Sequence, residues 1–293
     1  MSRPRVHEAA GVPAEIEAEL AQVFELVATP SSADGIVVTP AVTVDGAYLD
    51  AAGSQLRIVA NYAVGLDNVD LDAARERGVV VSNTPGVLTN ATAEHAIGLM
   101  LALLRRIGEG DRSLRRRDDW EWGPDFMVGE SLEGKDLLVV GPGRIGQRVA
   151  ELAQAHGART TFAGRCDDLL ELLAAADVVT LHCPLTPETR HLIGAGALEA
   201  MKPTAVLVNT ARGQVVDELA LVAALESGSI TGAALDVFEH EPAVSEQLLA
   251  MENVVLTPHI ASATRETRLA MGRLVVSALR AVLLESRTPS NAV

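Results

Sequence analysis

The chain has 293 residues, of which 48% are hydrophobic and 22% are charged, a composition typical of a globular protein. Its formal net charge of −15 argues against nucleic-acid binding through a basic surface. Neither of the two cysteines lies in a CxxC pair, the first residues lack a targeting pattern, and the apolar runs are too short to span a bilayer. We therefore expect a cytoplasmic protein without a membrane partner, and we expect no metal site.

The sequence alternates between short β-branched runs and helical patterns. The predicted strands lie at residues 35–39, 57–60, 79–81, 137–140, 160–162, 178–181, 205–208, 232–235 and 254–256. Strands that alternate with helices form parallel sheets covered on both faces. The predicted fold class is therefore α/β, with doubly wound parallel sheets.

Two apolar helical stretches mark the predicted domain boundaries. Residues 90–107 are apolar on nearly every side, which indicates a helix buried in a core or an interface. Residues 264–286 carry a narrower apolar stripe at helical spacing. We interpret both as helices that join two domains, one formed by residues 1–88 with 265–293 and the other by residues 89–264.

A glycine-rich run, GPGRIG at residues 141–146, follows one predicted strand and opens the next helical pattern. In a dinucleotide site the first glycine permits the tight turn, the second lets the backbone approach the pyrophosphate, and the third lets the helix pack on the strand. The pyrophosphate then lies at the helix N-terminus, where free N–H groups favour anions. The expected cofactor-binding residues of this run are Gly141, Gly143, Arg144, Ile145 and Gly146.

The end of the next predicted strand bears on the choice of cofactor. An acid at this position would accept hydrogen bonds from the ribose hydroxyls of NAD and repel a 2′-phosphate. Here Gly164 removes that side chain, and Arg165 offers a guanidinium that pairs with phosphate. Asp167 and Asp168 lie close by and could accept from the ribose. The sequence therefore favours NADP(H) bound by Arg165, with NAD(H) as the alternative.

Three later segments place reactive side chains just after a predicted strand, and they carry Arg212, Asp236 with Glu241, and His259. Ligands bind at the carboxyl ends of parallel strands, so these side chains can share one crevice. Reduction of a ketone by hydride needs a proton donor for the new alkoxide and a cation that holds a carboxylate. His259 suits the first role and Arg212 the second, while Glu241 would favour the imidazolium form and fix its tautomer. Four other histidines lack this context and are interpreted as structural: His95, His182, His191 and His240.

The same residues lie in segments that resemble the D-isomer-specific 2-hydroxyacid dehydrogenases. Between about residues 56 and 264 the similar segments are, in order, NYAVGLDNVD, VSNTPGVLTNATAEHAIGLMLALLRR, VGPGRIGQ, DVVTLHCPLTPETRHLIG, MKPTAVLVNTARG, GAALDVFEHEP and LTPHIASAT. The resemblance implies two Rossmann-like domains, with the cofactor domain inserted into a flavodoxin-like substrate domain. It also implies a homodimer built around the helix near residues 92–107.

The resemblance further implies roles for individual residues. Arg212, Glu241 and His259 would form the catalytic set. Backbone N–H groups of Val64 and Gly65 would hold the substrate carboxylate, with Arg212 and His259 as the other substrate-binding residues. Asp236 would bind the nicotinamide carboxamide, and Thr210 with Ala211 would line the face of that ring. The cofactor-binding residues implied outside the glycine-rich run are Thr92, His182, Pro184, Thr189, Thr210, Arg212, Asp236 and His259.

The chain also departs from the pattern of this family. After Arg165 it lacks residues that usually form a helix and a third strand, so we expect a trimmed sheet edge there. The opening strand is poorly recognisable, and Ala261 replaces a usual glycine. By contrast, the turn at Gly164 and the segment around Trp120 and Trp122 look like those of NADP-using glyoxylate/hydroxypyruvate reductases.

The expected activity is NADPH-preferring reduction of a small 2-keto acid to the D-2-hydroxy acid. The family implies transfer of the pro-R hydride, His259 acts as the general acid, and glyoxylate and hydroxypyruvate are the first substrate candidates. One alternative is a dehydrogenase dedicated to an unusual acid, for example a phosphorylated or phosphonate-bearing one. A second is a dinucleotide-sensing interaction protein, since co-repressors share this fold and keep these residues.

Overall fold

A computed structural model describes residues 3–293 of the chain. The chain divides into two compact units. The first unit consists of the described residues up to Leu88 together with Ser262–Val293, and the second unit consists of Thr89–Ala261. Among the described residues, no helix has both the length and the apolar content needed to cross a membrane.

The strands and helices alternate along the described chain. In order they are β1 (Arg5–Glu8), α1 (Ala14–Val23), β2 (Glu25–Val27), β3 (Gly35–Val38), α2 (Gly46–Ala52), β4 (Ile58–Asn61), α3 (Leu71–Glu76), β5 (Val80–Ser82), α4 (Thr89–Leu104), α5 (Ile107–Arg116), β6 (Asp136–Val140), α6 (Arg144–Ala155), β7 (Arg159–Ala163), α7 (Leu169–Ala175), β8 (Val178–Leu181), α8 (Ala195–Ala200), β9 (Val206–Asn209), α9 (Glu218–Ser227), β10 (Gly232–Leu235), α10 (Glu246–Ala250), β11 (Val254–Leu256) and α11 (Arg265–Leu283).

The first unit contains a parallel sheet with the strand order β2-β1-β3-β4-β5. This is the flavodoxin-like order, as expected for the smaller domain. Helix α11, which comes from the C-terminal part of the chain, packs on β3, β4 and β5 of this sheet. The sequence analysis missed β1 and β2, because both are short and each contains a single β-branched residue, so they lack the β-branched run that marks the other strands.

The second unit contains a parallel sheet with the order β11-β10-β9-β8-β6-β7. Side chains of β6 alternate between the two faces: Leu138 and Val140 join one core layer, while Leu137 and Val139 join the other. Strand β6 pairs with β7 on one side and with β8 on the other, so the strand order reverses at β6. Ligands in such sheets bind at this reversal of strand order.

Strand β7 is the edge of that sheet, as the short segment after Arg165 predicts. A Rossmann sheet of the order 3-2-1-4-5-6 would place a further strand beyond it. Here α7 follows after a five-residue turn and leads directly to β8. The adenosine side of the sheet is therefore shorter than in the full arrangement.

The prediction of one helix over residues 90–107 is wrong at its C-terminal end. Helix α4 ends at Leu104, and Arg106 adopts a left-handed conformation, with φ of 54°, before α5 begins at Ile107. A left-handed residue cannot continue an α-helix, so the chain turns there. Helix α4 packs against α6 and against β9, β10 and β11, which explains why it is apolar on several sides.

Candidate active site

Asn209, the last residue of β9, shapes the turn that carries Arg212. Its side-chain amide donates to the Arg212 carbonyl oxygen at 2.9 Å, and its side-chain oxygen accepts from the Ala211 N–H at 3.0 Å. Asn209 is buried, and Arg212 is half-buried. The two bonds satisfy the backbone of a turn that leaves the sheet, and they fix the direction in which Arg212 leaves it.

The segment after β10 is packed tightly against this turn. A side chain at Gly213 would overlap the backbone of Phe238, so only glycine fits. The Gln214 side-chain amide donates to the Glu239 carbonyl oxygen at 2.9 Å. Glu218 and Glu239 exchange backbone N–H to carboxylate bonds at 3.1 and 3.3 Å. The strand ends that carry Arg212 and Glu241 are therefore held to each other.

Glu241 and His259 form the central pair of the site. The Nδ1 atom of His259 lies 2.8 Å from Oε2 of Glu241, while Oε1 of Glu241 accepts from the Phe238 N–H at 3.0 Å. Burial alone would raise the pKa of Glu241, but the bonds from His259 and Phe238 and the charges of His259 and Arg212 outweigh it and lower that pKa. Glu241 is therefore ionised at neutral pH, so Nδ1 of His259 carries a proton and Nε2 is the ring atom that can exchange one.

Asp236 organises the loop on which His259 lies. Its side chain is fully buried, and it accepts from the Thr257 hydroxyl at 2.6 Å and from the N–H groups of Ile260 and Ala261 at 2.8 Å each. Burial alone would raise the pKa of Asp236, but these bonds and one from His95 lower it. The loop therefore wraps around a buried carboxylate, and His259, with φ of 52°, lies in the middle of it.

The glycine-rich run has the geometry of a pyrophosphate cradle. Gly141 has φ of +100°, and a side chain there would meet the backbone of His182 and Cys183 at 2.7 Å. A side chain at Gly146 would overlap the carbonyl oxygen of Gly141. Gly143 has open space beside it, and Arg144 and Ile145 begin α6, so free N–H groups at this helix end face that space.

Three predicted cofactor-binding residues lie at or just after the end of β8. Burial lowers the pKa of His182 to about 3, so its ring is neutral, and its Nε2 atom lies 2.9 Å from the Thr180 hydroxyl. The Thr189 hydroxyl donates to the Pro184 carbonyl oxygen at 2.7 Å and accepts from the Thr186 N–H at 2.7 Å. Thr189 therefore closes a turn that carries Pro184 beside the glycine-rich run.

The turn after β7 is exposed, and its acids are engaged within the turn. Asp167 accepts from the Gly164 N–H at 2.7 Å. Asp168 caps α7 by accepting from the N–H groups of Leu170 and Glu171 at 3.1 and 3.2 Å. Each acid thus holds the local backbone, and the expectation that either one binds ribose stays a prediction. Arg165 is exposed in this turn.

Two further residues bear on the cofactor. Thr210 is buried directly after β9, and its hydroxyl is one of two buried side-chain oxygens within residues 3–293 that lack a hydrogen-bond partner. A buried polar atom without a partner is unusual, and a bound ligand is one way to supply the partner. Thr92 lies buried in the first turns of α4. Together with the glycine-rich run, the orphaned Thr210 hydroxyl fits a bound nicotinamide dinucleotide.

Val64 and Gly65 belong to the first unit, in the loop after β4. Two asparagine side chains hold their carbonyl groups: Asn83 donates to the Val64 oxygen at 2.9 Å, and Asn61 donates to the Gly65 oxygen at 2.7 Å. In a trans peptide the N–H points opposite to the C=O, so fixing the Val64 carbonyl also fixes the N–H of Gly65. The loop therefore presents an ordered backbone donor.

A Rossmann sheet with a glycine-rich phosphate loop and an Arg, Glu and His cluster at its carboxyl edge is the arrangement of a nicotinamide-dependent dehydrogenase. Residues 97–261 match the family described as D-isomer specific 2-hydroxyacid dehydrogenase, NAD binding domain. The chain therefore belongs to the D-isomer specific 2-hydroxyacid dehydrogenases, and it is an NAD(P)-dependent enzyme.

Relatives and solved structures agree with this membership. The chain is 48% identical over 257 residues to the glyoxylate reductase of Aeropyrum pernix. The aligned residues cover 82% of this chain and 76% of that relative. It is 44% identical over 277 residues to the glyoxylate reductase of Thermococcus litoralis, covering 89% and 83% of the two chains.

Among solved structures, a protein of Thermus thermophilus superimposes with a TM-score of 0.91 at 42% identity, covering 99% of each chain. The NADPH-dependent glyoxylate/hydroxypyruvate reductase of Sinorhizobium meliloti, solved with NADP and malonate, superimposes with a TM-score of 0.88 at 36% identity. That match covers 100% of this chain and 97% of the other.

The sequence analysis missed the residues that hold the reactive ones in place. Asn209 was recognisable in principle, because an asparagine at a strand end often closes a turn. Thr257 and His95 gave no such signal, since their partners lie far away in the sequence: the His95 Nε2 atom is 3.1 Å from the Thr257 hydroxyl and 3.3 Å from Oδ1 of Asp236. Among residues 3–293, no group of three or more His, Cys, Asp or Glu side chains is arranged to hold a metal.

Proposed function

We propose that this enzyme reduces a small 2-keto acid of the glyoxylate or hydroxypyruvate type to the D-2-hydroxy acid, with NADPH as the preferred cofactor. The observation that carries the proposal is the 2.8 Å contact between Nδ1 of His259 and Glu241 at the edge of the sheet that carries Arg212. The arrangement supplies a general acid and a cation, which are the two groups that reduction of a keto acid requires.

His259 is the proton donor in this proposal. Glu241 holds the proton on Nδ1, so the imidazolium form presents the second proton on Nε2. When the carbonyl carbon accepts hydride, its π electrons move to oxygen, and that oxygen takes the Nε2 proton. The imidazole left behind is neutral and keeps its Nδ1–H bond to Glu241, so the ring is oriented for the next cycle.

Arg212 binds the substrate carboxylate and polarises the carbonyl. Its guanidinium offers a planar set of donors that matches a carboxylate, and the Asn209 turn fixes its backbone. The N–H groups at Val64 and Gly65 are the second anchor of the carboxylate in this proposal. Their support is the pair of asparagine bonds that orders the loop.

A bound reduced nicotinamide supplies the hydride. We assign its pyrophosphate to the glycine-rich run with Arg144 and Ile145, and its nicotinamide to the neighbourhood of Thr210 and Asp236. The support is the Thr210 hydroxyl, which lacks a partner within the described residues, and the position of Asp236 directly after β10. Thr92, His182, Pro184 and Thr189 complete the proposed cofactor contacts.

The preference for NADPH rests on Arg165. Asp167 and Asp168 each accept backbone N–H groups of the turn, and neither occupies the position of Gly164 at the end of β7, where an NAD-selecting acid is expected. Hydrogen bonds from Thr186 and from the backbone of Glu188 lower the pKa of Glu188, and the positive charge of Arg165 adds to that lowering. In this proposal the exposed guanidinium of Arg165 pairs with the 2′-phosphate. The Sinorhizobium meliloti relative, which is NADPH-dependent, agrees with this preference.

The test is the rate of cofactor oxidation at the nicotinamide absorbance band. We expect glyoxylate and hydroxypyruvate to be reduced, with NADPH faster than NADH at equal concentration. Reduction of glyoxylate gives glycolate, which is achiral, so the stereochemistry has to be read from the product of hydroxypyruvate reduction. We expect that product to be D-glycerate. If only phosphorylated or phosphonate-bearing keto acids are turned over, these acids and not glyoxylate or hydroxypyruvate are the substrate class. Absence of turnover with every 2-keto acid would contradict the proposal.

We also propose a homodimer. Helix α4 is largely buried within its own unit, whereas the segment after it exposes apolar side chains on one stretch of chain. These side chains are Ile107, Leu114, Trp120, Trp122, Phe126 and Val128. A concentration of exposed apolar groups of this kind is typical of an interface. Light scattering should give twice the chain mass, and the variant Trp122→Glu should shift the protein toward the monomer.

A further inference from the structure

His95 links helix α4 to the loop that carries His259, through a chain of hydrogen bonds whose direction the geometry fixes. The Thr257 hydroxyl donates to Oδ1 of Asp236 at 2.6 Å, since an ionised carboxylate can only accept. Its single proton is then used, so at 3.1 Å from His95 it must accept. Nε2 of His95 therefore carries a proton and donates to Thr257, with Oδ1 of Asp236 at 3.3 Å as its second acceptor.

This chain of bonds ends on the backbone that surrounds His259. Asp236 accepts from the N–H groups of Ile260 and Ala261, the two residues that follow His259. The His259 N–H itself donates to the Asp236 carbonyl oxygen at 2.8 Å. His259 has a positive φ of 52°, a conformation that costs energy for a non-glycine residue and persists only when the surrounding structure holds it.

Helix α4 is a firm support for such a link. It packs on β9, β10 and β11, and its residues Ala96 and Leu99, which follow His95, are buried in the core. His95 is about one-fifth exposed and projects from this fixed helix to the end of β11. The strand ends contribute Asp236 and Thr257, while His95 is the member of the network that comes from outside the sheet.

We propose that His95 is a positioning residue: by donating from Nε2 to Thr257 and Asp236, it holds the loop of residues 257–261 so that His259 meets Glu241 and the substrate in one fixed orientation. This inference rests on the proposed role of His259 as general acid. It adds a residue that touches neither the cofactor nor the substrate and that acts through the loop. Misplacement of a catalytic group by about 1 Å is enough to cost about a hundredfold in rate.

The experiment compares His95→Leu with His95→Gln. Leucine keeps much of the volume but removes the donor, whereas the glutamine amide can place an N–H near the position of Nε2. We expect His95→Leu to lower kcat about tenfold to a hundredfold with an almost unchanged KM for NADPH, and His95→Gln to recover most of the loss. His156→Leu is the matched control, because His156 lies exposed at the end of α6, away from the network.

Hydrogen exchange separates this inference from the proposed reaction. In His95→Leu the amides of Ile260 and Ala261 should exchange faster than in the wild type, in His95→Gln they should be close to wild type, and this readout needs no turnover. A wild type that reduces no keto acid would defeat the proposed function and leave the exchange result standing. An active wild type with unchanged exchange and unchanged kcat in His95→Leu would overturn the role of His95.

A purely structural role for His95 gives a different pattern. In that case both variants would lose thermal stability to a similar degree while kcat and the Ile260 and Ala261 exchange rates stayed at the wild-type values, and the proposal would be wrong. If His95→Leu fails to fold, Thr257→Val removes the His95–Thr257 bond, together with the Thr257–Asp236 bond, at nearly the same volume. Faster exchange at Ile260 and Ala261 in Thr257→Val is then the expected result, and wild-type exchange would overturn the inference.

Discussion

The carboxyl ends of β9, β10 and β11 and the turn after β7 belong to the same sheet, yet they hold their side chains in different ways. At the first region Asp236 and Asn209 are buried and Glu241 is exposed, and each of the three makes two or more hydrogen bonds. At the second, Arg165 projects from an exposed edge turn whose acids hold only their own backbone.

This difference assigns different properties to the two regions. At the strand ends each group makes several hydrogen bonds that share partners, so a single substitution disturbs several bonds at once. In the exposed turn each side chain acts almost alone, and solvent screens its charge. We therefore expect chemistry to be fragile to substitution at the strand ends, and cofactor preference to be adjustable at the turn with little effect on the rest of the enzyme.

The largest effect is expected at the general acid. His259→Ala removes the proton donor, so kcat should fall about 10²-fold to 10⁴-fold while the dissociation constant of NADPH stays near the wild-type value. Steady-state kinetics together with fluorescence titration of NADPH measures the two quantities. Equal losses in turnover and in NADPH affinity would mean that His259 serves the cofactor and not the proton transfer.

The second-largest effect is expected at Arg212, which binds the substrate carboxylate in this proposal. Arg212→Ala should lower kcat/KM for glyoxylate about a hundredfold, because the charge-assisted, bidentate contact with the carboxylate is lost and the carbonyl is no longer polarised in the transition state. Both kcat and KM should change. Arg212→Lys is the matched variant: it keeps the charge but not the planar fork, so recovery should be partial. Full recovery with lysine would reduce the role of Arg212 to that of a point charge.

The buried carboxylate gives a pH-dependent prediction. The folded pKa of Asp236 lies below its ordinary value of 3.8, so its contribution to stability is complete above about that pH and is lost as the pH falls through the lower folded value. Asp236→Asn should cost about 1–3 kcal/mol at neutral pH, since its amide group faces backbone N–H donors. Melting temperatures from about pH 7 down to about pH 3 should show the gap to wild type narrowing only below about pH 4. A gap that is constant with pH would show that the charge of Asp236 does not stabilise the fold.

At the exposed turn the expected change is in selectivity. Arg165→Ala should reduce the ratio of kcat/KM for NADPH to that for NADH about tenfold, with glyoxylate turnover at saturating NADH unchanged. Gly164→Asp should shift the same ratio toward NADH. Arg159→Ala, which removes an arginine at the other end of β7, is the control and should leave the ratio alone. An unchanged ratio in Arg165→Ala would make Arg165 an ordinary surface residue.

The smallest effect is expected for the cap of α7. Asp168→Ala should lower the free energy of unfolding by about 1 kcal/mol, and Asp168→Asn should recover most of it, because asparagine also caps helices. Neither variant should change the preference between NADPH and NADH. A marked loss of NADH affinity in Asp168→Ala would instead show that this acid binds ribose, and the contrast between the two regions would weaken.

Much of the fold follows from the sequence, because β-branched runs and glycine signals mark nine of the eleven strands of the described chain. Strands β1 and β2 escape this reasoning, since a short charged run such as RVHE becomes a strand only through its neighbours in the sheet. The break at Arg106 escapes it too. A non-glycine residue in a left-handed conformation leaves no mark in the sequence, and tertiary packing decides it.

The reactive residues of the candidate site are also predictable, and the reason is topological. Arg212, Asp236 and His259 each follow a strand of a parallel sheet, so their strand ends must lie at one edge. The contacts that orient them are not predictable in this way. His95 is separated from Thr257 by most of the second unit, and only the packing of α4 on the strands brings them within hydrogen-bonding distance.

The most direct test of hydride transfer at the strand ends uses NADPH labelled with deuterium at the pro-R position of the nicotinamide C4, with hydroxypyruvate as substrate. The account predicts that wild-type enzyme forms D-glycerate carrying one deuterium at C2, and that His259→Ala forms it at a strongly reduced rate. Unlabelled glycerate, the L-isomer, or equal rates for the two proteins would contradict it.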